Sequence, residues 1–566
     1  MNHIKYLAFF LLLLPLGFSS CDLKEELIDT PTPEMLQTEK DVEVIIKGLY
    51  AGFNDPRAFK YRGVIMYLLC SDVFYSSGGS NFGPFSDKSF TAVNTAPLWN
   101  ALYAAIAGAN DLIYQLDRLD FEEDFERRAY GEAHFIRAFC YYYLVRLYGG
   151  VPLRVDAVDV NSDFYLPRSS IAEVYQQIFD DFRQATLQLP LFSDIPKTEL
   201  GRASKGAAQA LLAQAYLTYG DQQVLAGQDG SAAFKNAFAY ADSVITSGQY
   251  RLINDYAAIF DLKKETQAYN EVIFGIRFQT DPQSSGQQAA GSELAFRFGA
   301  PNTWNVSGNP ANGKGAGSYR LMPWVADFYR QGDYATTDSL GQPVIDYRTL
   351  TGMNQGGNGP KNKFYVTYPN IPEDNQGNIA TPLLGKYIDP TGKDSRNNGN
   401  DYFIIRLAEV YLIKAEAENE LHGPTPIALE AFNRVRARAR HADGAMRNIP
   451  ADLQISSELT QDSLRMAIFN ERGLELLGEG QRWFDLVRMR SPESPSETMF
   501  AYQFLKELPG HTTDLPKFKK GPGQWSTQGA VYAPALEVTI PKYLLFPIPN
   551  TELLKNPNFG AQNPGW

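Results

Sequence analysis

The sequence predicts a mainly α-helical protein in which helical hairpins carry a large, irregular, loop-rich region with short strands. Three observations predict it. Apolar residues in the first half recur every three or four positions. From about 275 to 400 that period disappears, and Gly, Asn, Pro, Ser and Gln dominate. From about 401 the helical period returns.

The clearest helix carries Ala129, Ala133, Ile136, Cys140, Tyr143, Leu144 and Leu147 on one face. Phe135, Ala138, Phe139 and Tyr142 add a second apolar face, which predicts a largely buried helix. Gly149-Gly150 and Pro152 stop it. Further helices are predicted over 98–116, 170–189, 204–219 and 232–247, separated by Pro, Gly, Asn or Asp clusters. Residues 272–276 and 364–368 read as short strands inside or beside the irregular region. Asp401 is placed to cap a helix carrying Ile404, Leu407, Ala408, Tyr411 and Ala415, and helices over 427–440 and 463–477 follow. Paired helices of this kind suggest stacked hairpins, although no strict repeat period is present.

The chain of 566 residues is long enough for a large core, and 44% hydrophobic with 20% charged residues is an ordinary globular balance. A net charge of −12 argues against nucleic-acid binding, which needs a basic face. The N-terminus has one Lys before an apolar run over 6–16, then Phe18-Ser19-Ser20-Cys21. This is a signal-peptide layout, too short for a comfortable membrane span. Cys21 after two small residues looks like the lipidated Cys of a bacterial lipobox, with Phe18 in place of the usual Leu. Lipid on Cys21 is therefore the expected membrane anchor. Cys70 and Cys140 each sit in an apolar run and are expected to be buried free thiols, with a single disulfide as the alternative.

The chemistry expected of common enzymes is missing from the sequence. It has no His-Glu-x-x-His motif, no Cys pair at metal spacing and no Gly-x-Ser-x-Gly elbow, so no cofactor or metal is expected. Residues 308–315 nearly spell a phosphate-binding loop, but Gly315 stands where Ser or Thr must hold magnesium. Glu471 and Glu475 share a helical stripe with Leu464 and Ile468; a glycosidase would need such a carboxylate pair in an open cleft. Arg472, Arg482 and Arg488 lie nearby in sequence, which favours structural ion pairs. Trp99 and Trp483 fall in helices and read as core. Asp72 and Tyr75, just before the Gly-rich stretch 76–84, and Trp304, Tyr319 and Trp324 in the irregular region are the candidate ligand contacts. Aromatic residues with a flat face and a polar edge suit sugar rings.

Several stretches resemble the SusD/RagB family. They are Trp99-x-x-x-Tyr103-x-x-Ile106-x-x-x-Asn110; Gly131 to Ala138 running to Gly149-Gly150-Val151-Pro152; and Leu166-Pro167-Arg168. Gly201-Arg202-Ala203, Arg406 to Tyr411, Glu479 to Arg488 and the closing Pro547-Ile548-Pro549 continue the match to Trp566. The resemblance implies tetratricopeptide-like helix pairs beside a ligand-binding half. It implies a signal peptide at 1–20, an N-terminal helical region at 21–270 and a C-terminal region at 271–566 that contains the variable segment 275–400. It further implies a non-catalytic outer-membrane lipoprotein of a Bacteroidetes-type bacterium that captures an oligosaccharide for a SusC-like TonB-dependent transporter. An oligopeptide ligand, as in the RagB branch, is the alternative, and a glycoside hydrolase a more distant one. Lys24-Glu25-Glu26 looks like the signal that sends such lipoproteins to the outer face.

Overall fold

The computed structural model describes residues 37–76, 82–280, 290–299, 315–354, 356–358, 364–367, 378–380, 382–389, 397–442, 445–508, 514–519, 522–530 and 541–566. Cys21, the Lys24-Glu25-Glu26 stretch and Trp304 lie outside them.

The first half is helical. It contains α1 (Glu39–Gly52), α2 (Arg62–Cys70), α3 (Ala92–Leu116), α4 (Glu123–Tyr148), α5 (Ile171–Gln188), α6 (Lys205–Leu225) and α7 (Ser231–Thr246). From α3 to α7 each helix packs on the next, the arrangement expected of stacked hairpins. Caps set the boundaries: Ser170 and Glu173 form a capping box at the start of α5, and Ser204 accepts from the Ala207 N–H at the start of α6. The central α4 is buried on nearly every side from Ala129 onward and ends at Gly149, whose φ of +75° suits a residue without Cβ. One side chain ties three helices: Arg137 of α4 holds both oxygens of Asp181 on α5 at 2.8 and 2.7 Å and donates to Asn110 on α3 at 2.9 Å.

The second half joins this stack through a short antiparallel ladder. β1 (Phe74–Ser76), β2 (Val272–Ile276), β3 (Tyr319–Leu321) and β4 (Tyr402–Arg406) form two ribbons, β1 with β3 and β2 with β4. β4 leads directly into α8 (Leu407–His422), which packs on α7; α9 (Pro426–Ala439), α10 (Gln461–Glu475) and α11 (Gln481–Arg488) follow. The expected cap at Asp401 is a correction. Residues 402–406 are strand, and α8 begins after Arg406. Asp401 instead accepts the Phe278 N–H at 2.7 Å and the Tyr269 hydroxyl at 2.9 Å, fixing the end of β2. A fully buried strand, apolar on both faces, mimicked the start of a helix.

The main hydrophobic core runs from Phe53 to Phe559 and contains Trp99 and Trp483, 2% and 1% exposed. Cys70 and Cys140 are buried and free. Strand 364–368 is present as Phe364–Thr367. No helix among the described residues is long and apolar enough to cross a membrane.

Candidate ligand-binding platform

The platform is built around the β1–β3 ribbon. Helix α2 is apolar along its length and buried, and it delivers the chain to β1. β1 pairs with β3 in the register Phe74↔Leu321, Tyr75↔Arg320 and Ser76↔Tyr319, and the Met322 N–H extends the ladder to Val73 O at 2.9 Å. A short helix, Pro323–Phe328, then turns Trp324 inward, where its indole N–H donates to Asp72 O at 2.8 Å. The Asp72 carboxylate is held by Arg482 of α11, Nε at 2.9 Å and Nη2 at 2.7 Å. Arg482 in turn stacks 3.7 Å over the Phe469 ring. The ribbon is thereby bolted to the helical half.

This geometry corrects four of the candidate contacts. Asp72, Tyr75, Tyr319 and Trp324 are at most 2% exposed. They are the foundation of the platform and present no face to solvent. The physical reason is plain: a loop-rich segment still needs large aromatic side chains to fix it to the core, and burial of such rings is the strongest apolar contribution available. Composition marked the region as recognition surface but did not separate the rings that anchor it from those that face out.

Beside them lies a half-buried rim that the sequence reading missed, with Tyr61, 8% exposed, at its base. Tyr61 meets Phe82 edge-on at 5.9 Å, and Phe82 meets the buried Tyr319 edge-on at 6.4 Å. The Arg297 guanidinium lies 5.1 Å over the Tyr61 ring and 5.5 Å over Phe296. Glu293 holds its Nε and Nη2 at 3.0 and 2.7 Å. Arg62 donates to the Tyr61 hydroxyl at 2.9 Å, and Arg320 to Gly317 O at 3.0 Å. Phe82, Phe296, Arg62, Arg297 and Arg320 are half-buried. The segment Leu294–Phe298 is clasped to the strand by Ala316 N–H to Phe296 O at 2.7 Å and Ser318 N–H to Arg297 O at 2.9 Å. Ser76 and Phe82, Thr280 and Ala290, and Gly299 and Gly315 flank the stretches 77–81, 281–289 and 300–314, which lie outside the described residues. The pattern Phe296-Arg297-Phe298, an Arg between aromatics, was the available signal. Ring faces for apolar sugar faces and forked N–H donors for hydroxyls are the chemistry that residues of these types offer.

The carboxylate pair weighed for hydrolysis is elsewhere and sealed. Glu471 and Glu475 have no solvent exposure. Glu471 pairs with Arg348 at 2.5 Å and Arg436 at 3.0 Å; Glu475 pairs with Arg348 at 2.9 Å, Arg406 at 2.5 Å and Arg438. Burial alone would raise the Glu475 carboxyl, but Arg438, Arg406 and Arg348 outweigh it and hold it well below the ordinary carboxylate range. The structural reading of these acids is therefore the right one, with a correction to their partners. They come from residues 348, 406, 436 and 438, distant in sequence, and not from Arg472, Arg482 or Arg488. Among the described residues no group of three His, Cys, Asp or Glu side chains is placed to hold a metal ion.

A helical-hairpin scaffold presenting a loop-borne aromatic and cationic rim has the form of a recognition protein. The sequence profile of the SusD family matches residues 270–566, and a profile described as starch-binding associating with outer membrane matches 28–217. The chain belongs to the SusD family. SusD-like protein P2 of Formosa agariphila is 27% identical over 574 residues, covering 99% of this chain and 100% of that relative. A SusD homolog from Bacteroides thetaiotaomicron has the same fold, with a TM-score of 0.73 at 22% identity over 94% of this chain and 98% of that one. A laminarin-binding SusD-like protein matches with a TM-score of 0.65 at 21% identity, over 94% and 100% of the two chains.

Proposed function

We propose that this protein is a surface nutrient binder of the outer membrane, anchored by lipid on Cys21, that captures an oligosaccharide and passes it to a SusC-like TonB-dependent transporter. The observation that carries the reading is the rim of Tyr61, Phe82, Phe296 and Arg297 on a ribbon bolted to the helical stack. Trp304, in the stretch flanked by this platform, is assigned to the same ligand. Support comes from the family profile described as starch-binding and from the laminarin-binding protein of the same fold. The protein binds without turnover in this reading, because Glu471 and Glu475 are fully engaged by arginines away from solvent.

Calorimetry of the purified protein against neutral α- and β-glucans, acidic polysaccharides and mixed oligopeptides tests this. A saturable glycan isotherm, with ligand chain length unchanged by mass spectrometry after long incubation, is the expected result. Saturable binding to peptides alone, or shortening of the glycan, would overturn it.

A further inference from the structure

A cavity of about 480 Å³ opens at the ends of α4, α5, α6 and α11, and shares no residue with the rim. Its lining is mainly apolar and includes Leu225, Val487, Leu544 and Leu545. Two arginines reach it, and they differ. Arg488 is paired with three carboxylates, Asp221 at 2.5 Å, Glu416 at 2.6 Å and Asp485 at 2.7 Å. Arg146 is only 5% exposed, yet no acidic side chain pairs with it among the described residues. Its Nε donates to Tyr142 O at 3.2 Å, and its guanidinium is sandwiched 3.8 Å from both the Tyr142 and Phe484 rings. Ring faces offset part of the lost hydration of such a cation, but they leave its net charge in place.

A buried cation without a carboxylate, on the wall of an apolar cavity of ligand size, is complementary to one anionic group on an apolar body. We infer that this cavity binds a small amphipathic monocarboxylate, its head on the Arg146 guanidinium and its aliphatic chain against Leu225, Val487, Leu544 and Leu545. A carboxylate matches the planar fork of the guanidinium. A mainly apolar wall suits an alkyl chain, which needs no hydrogen bonds, better than a sugar. The site is independent of the glycan platform.

Titration calorimetry with decanoate and decan-1-ol tests the assignment. The purified protein is expected to bind decanoate about tenfold or more tighter than the alcohol, the scale of one charge-assisted pair. Arg146→Gln should bring the two affinities together. Ala226→Trp, at an exposed lining residue just past the C-terminal end of α6, should weaken both probes while glycan binding stays intact. Equal affinity for acid and alcohol in the unaltered protein, no decanoate binding, or decanoate binding unaffected by Ala226→Trp would each overturn the inference. Should Arg146→Gln fail to fold, the acid-to-alcohol ratio and the Ala226→Trp variant still decide it.

Discussion

Arg406 has no solvent exposure and bonds Glu271 at 2.9 Å, Glu475 at 2.5 Å and Glu479 at 2.7 Å. Around it, Arg348, Arg436, Arg438 and Lys386 face Asp346, Glu271, Glu471, Glu475 and Glu479, so the buried cations and carboxylates balance. Balance matters because each unpaired buried charge is expensive, while a satisfied network holds one geometry. Glu475→Gln leaves three arginines short of an anion and is expected to destabilise the fold by roughly 3–5 kcal/mol in urea melts. The pH dependence gives a second check. The Glu475 carboxyl is depressed in the folded state, so its stabilisation is fully present above the ordinary carboxylate pKa of 4.5 and fades as pH falls below it. The stability gap between the unaltered protein and Glu475→Gln should therefore narrow on acidification; a gap independent of pH would show that the network does not hold the charge as described.

At the scale of elements, α11 depends on its first turn. Gly480 precedes it with φ of +87°, a backbone that favours glycine, and a Cβ there would meet the Tyr402 hydroxyl and approach Tyr67 Cε2 to 2.7 Å. Those two tyrosines share a hydrogen bond of 3.1 Å, and Tyr402 also donates to Glu479 O at 3.0 Å. Gly480→Ala is expected to lower stability by about 2 kcal/mol or more, from backbone strain plus the displaced rings, read as a lower melting temperature by circular dichroism. The helices themselves were legible in the sequence to within a few residues at most ends. The predicted 170–189 and 232–247 became Ile171–Gln188 and Ser231–Thr246 because the capping box of the first and the apolar periodicity of both are local signals. What could not be read was anything set by distant partners. Asp401 looked like a cap and is a strand-end acceptor. The acids of α10 found arginines from residues 348 to 438 rather than those beside them in sequence. The rim was illegible for the same reason, since Tyr61 and Phe82 meet Arg297 only through contacts between segments more than 200 residues apart, among them the Glu293 N–H to Lys60 O bond and the β1–β3 pairing.

For the whole molecule, one hydrophobic core spans both halves, so recognition falls to what the core does not consume. In the proposed reading attachment rests on lipid at Cys21, and Cys21→Ala should move the protein to the soluble fraction on membrane fractionation. Retention at the unaltered level in cells lacking the transporter would count against the anchor. The two tryptophans of the irregular region should now part ways. Trp324 is 2% exposed, donates to Asp72 O and packs beside Phe328 at 6.0 Å, so Trp324→Ala opens a cavity beneath the ribbon. It should cost about 3–5 kcal/mol of stability and lower the melting temperature, with any loss of binding following from the loosened platform. Trp304→Ala, if Trp304 serves as a stacking contact, should weaken glycan binding roughly thirtyfold, about 2 kcal/mol, with the melting temperature unmoved. Calorimetry and a melting curve on the same two preparations separate the roles. A stable, binding-deficient Trp324→Ala would put that ring at the ligand against its burial, and full affinity in Trp304→Ala would leave Tyr61, Phe82 and Arg297 to carry the site, to be tested by Arg297→Ala with the same titration.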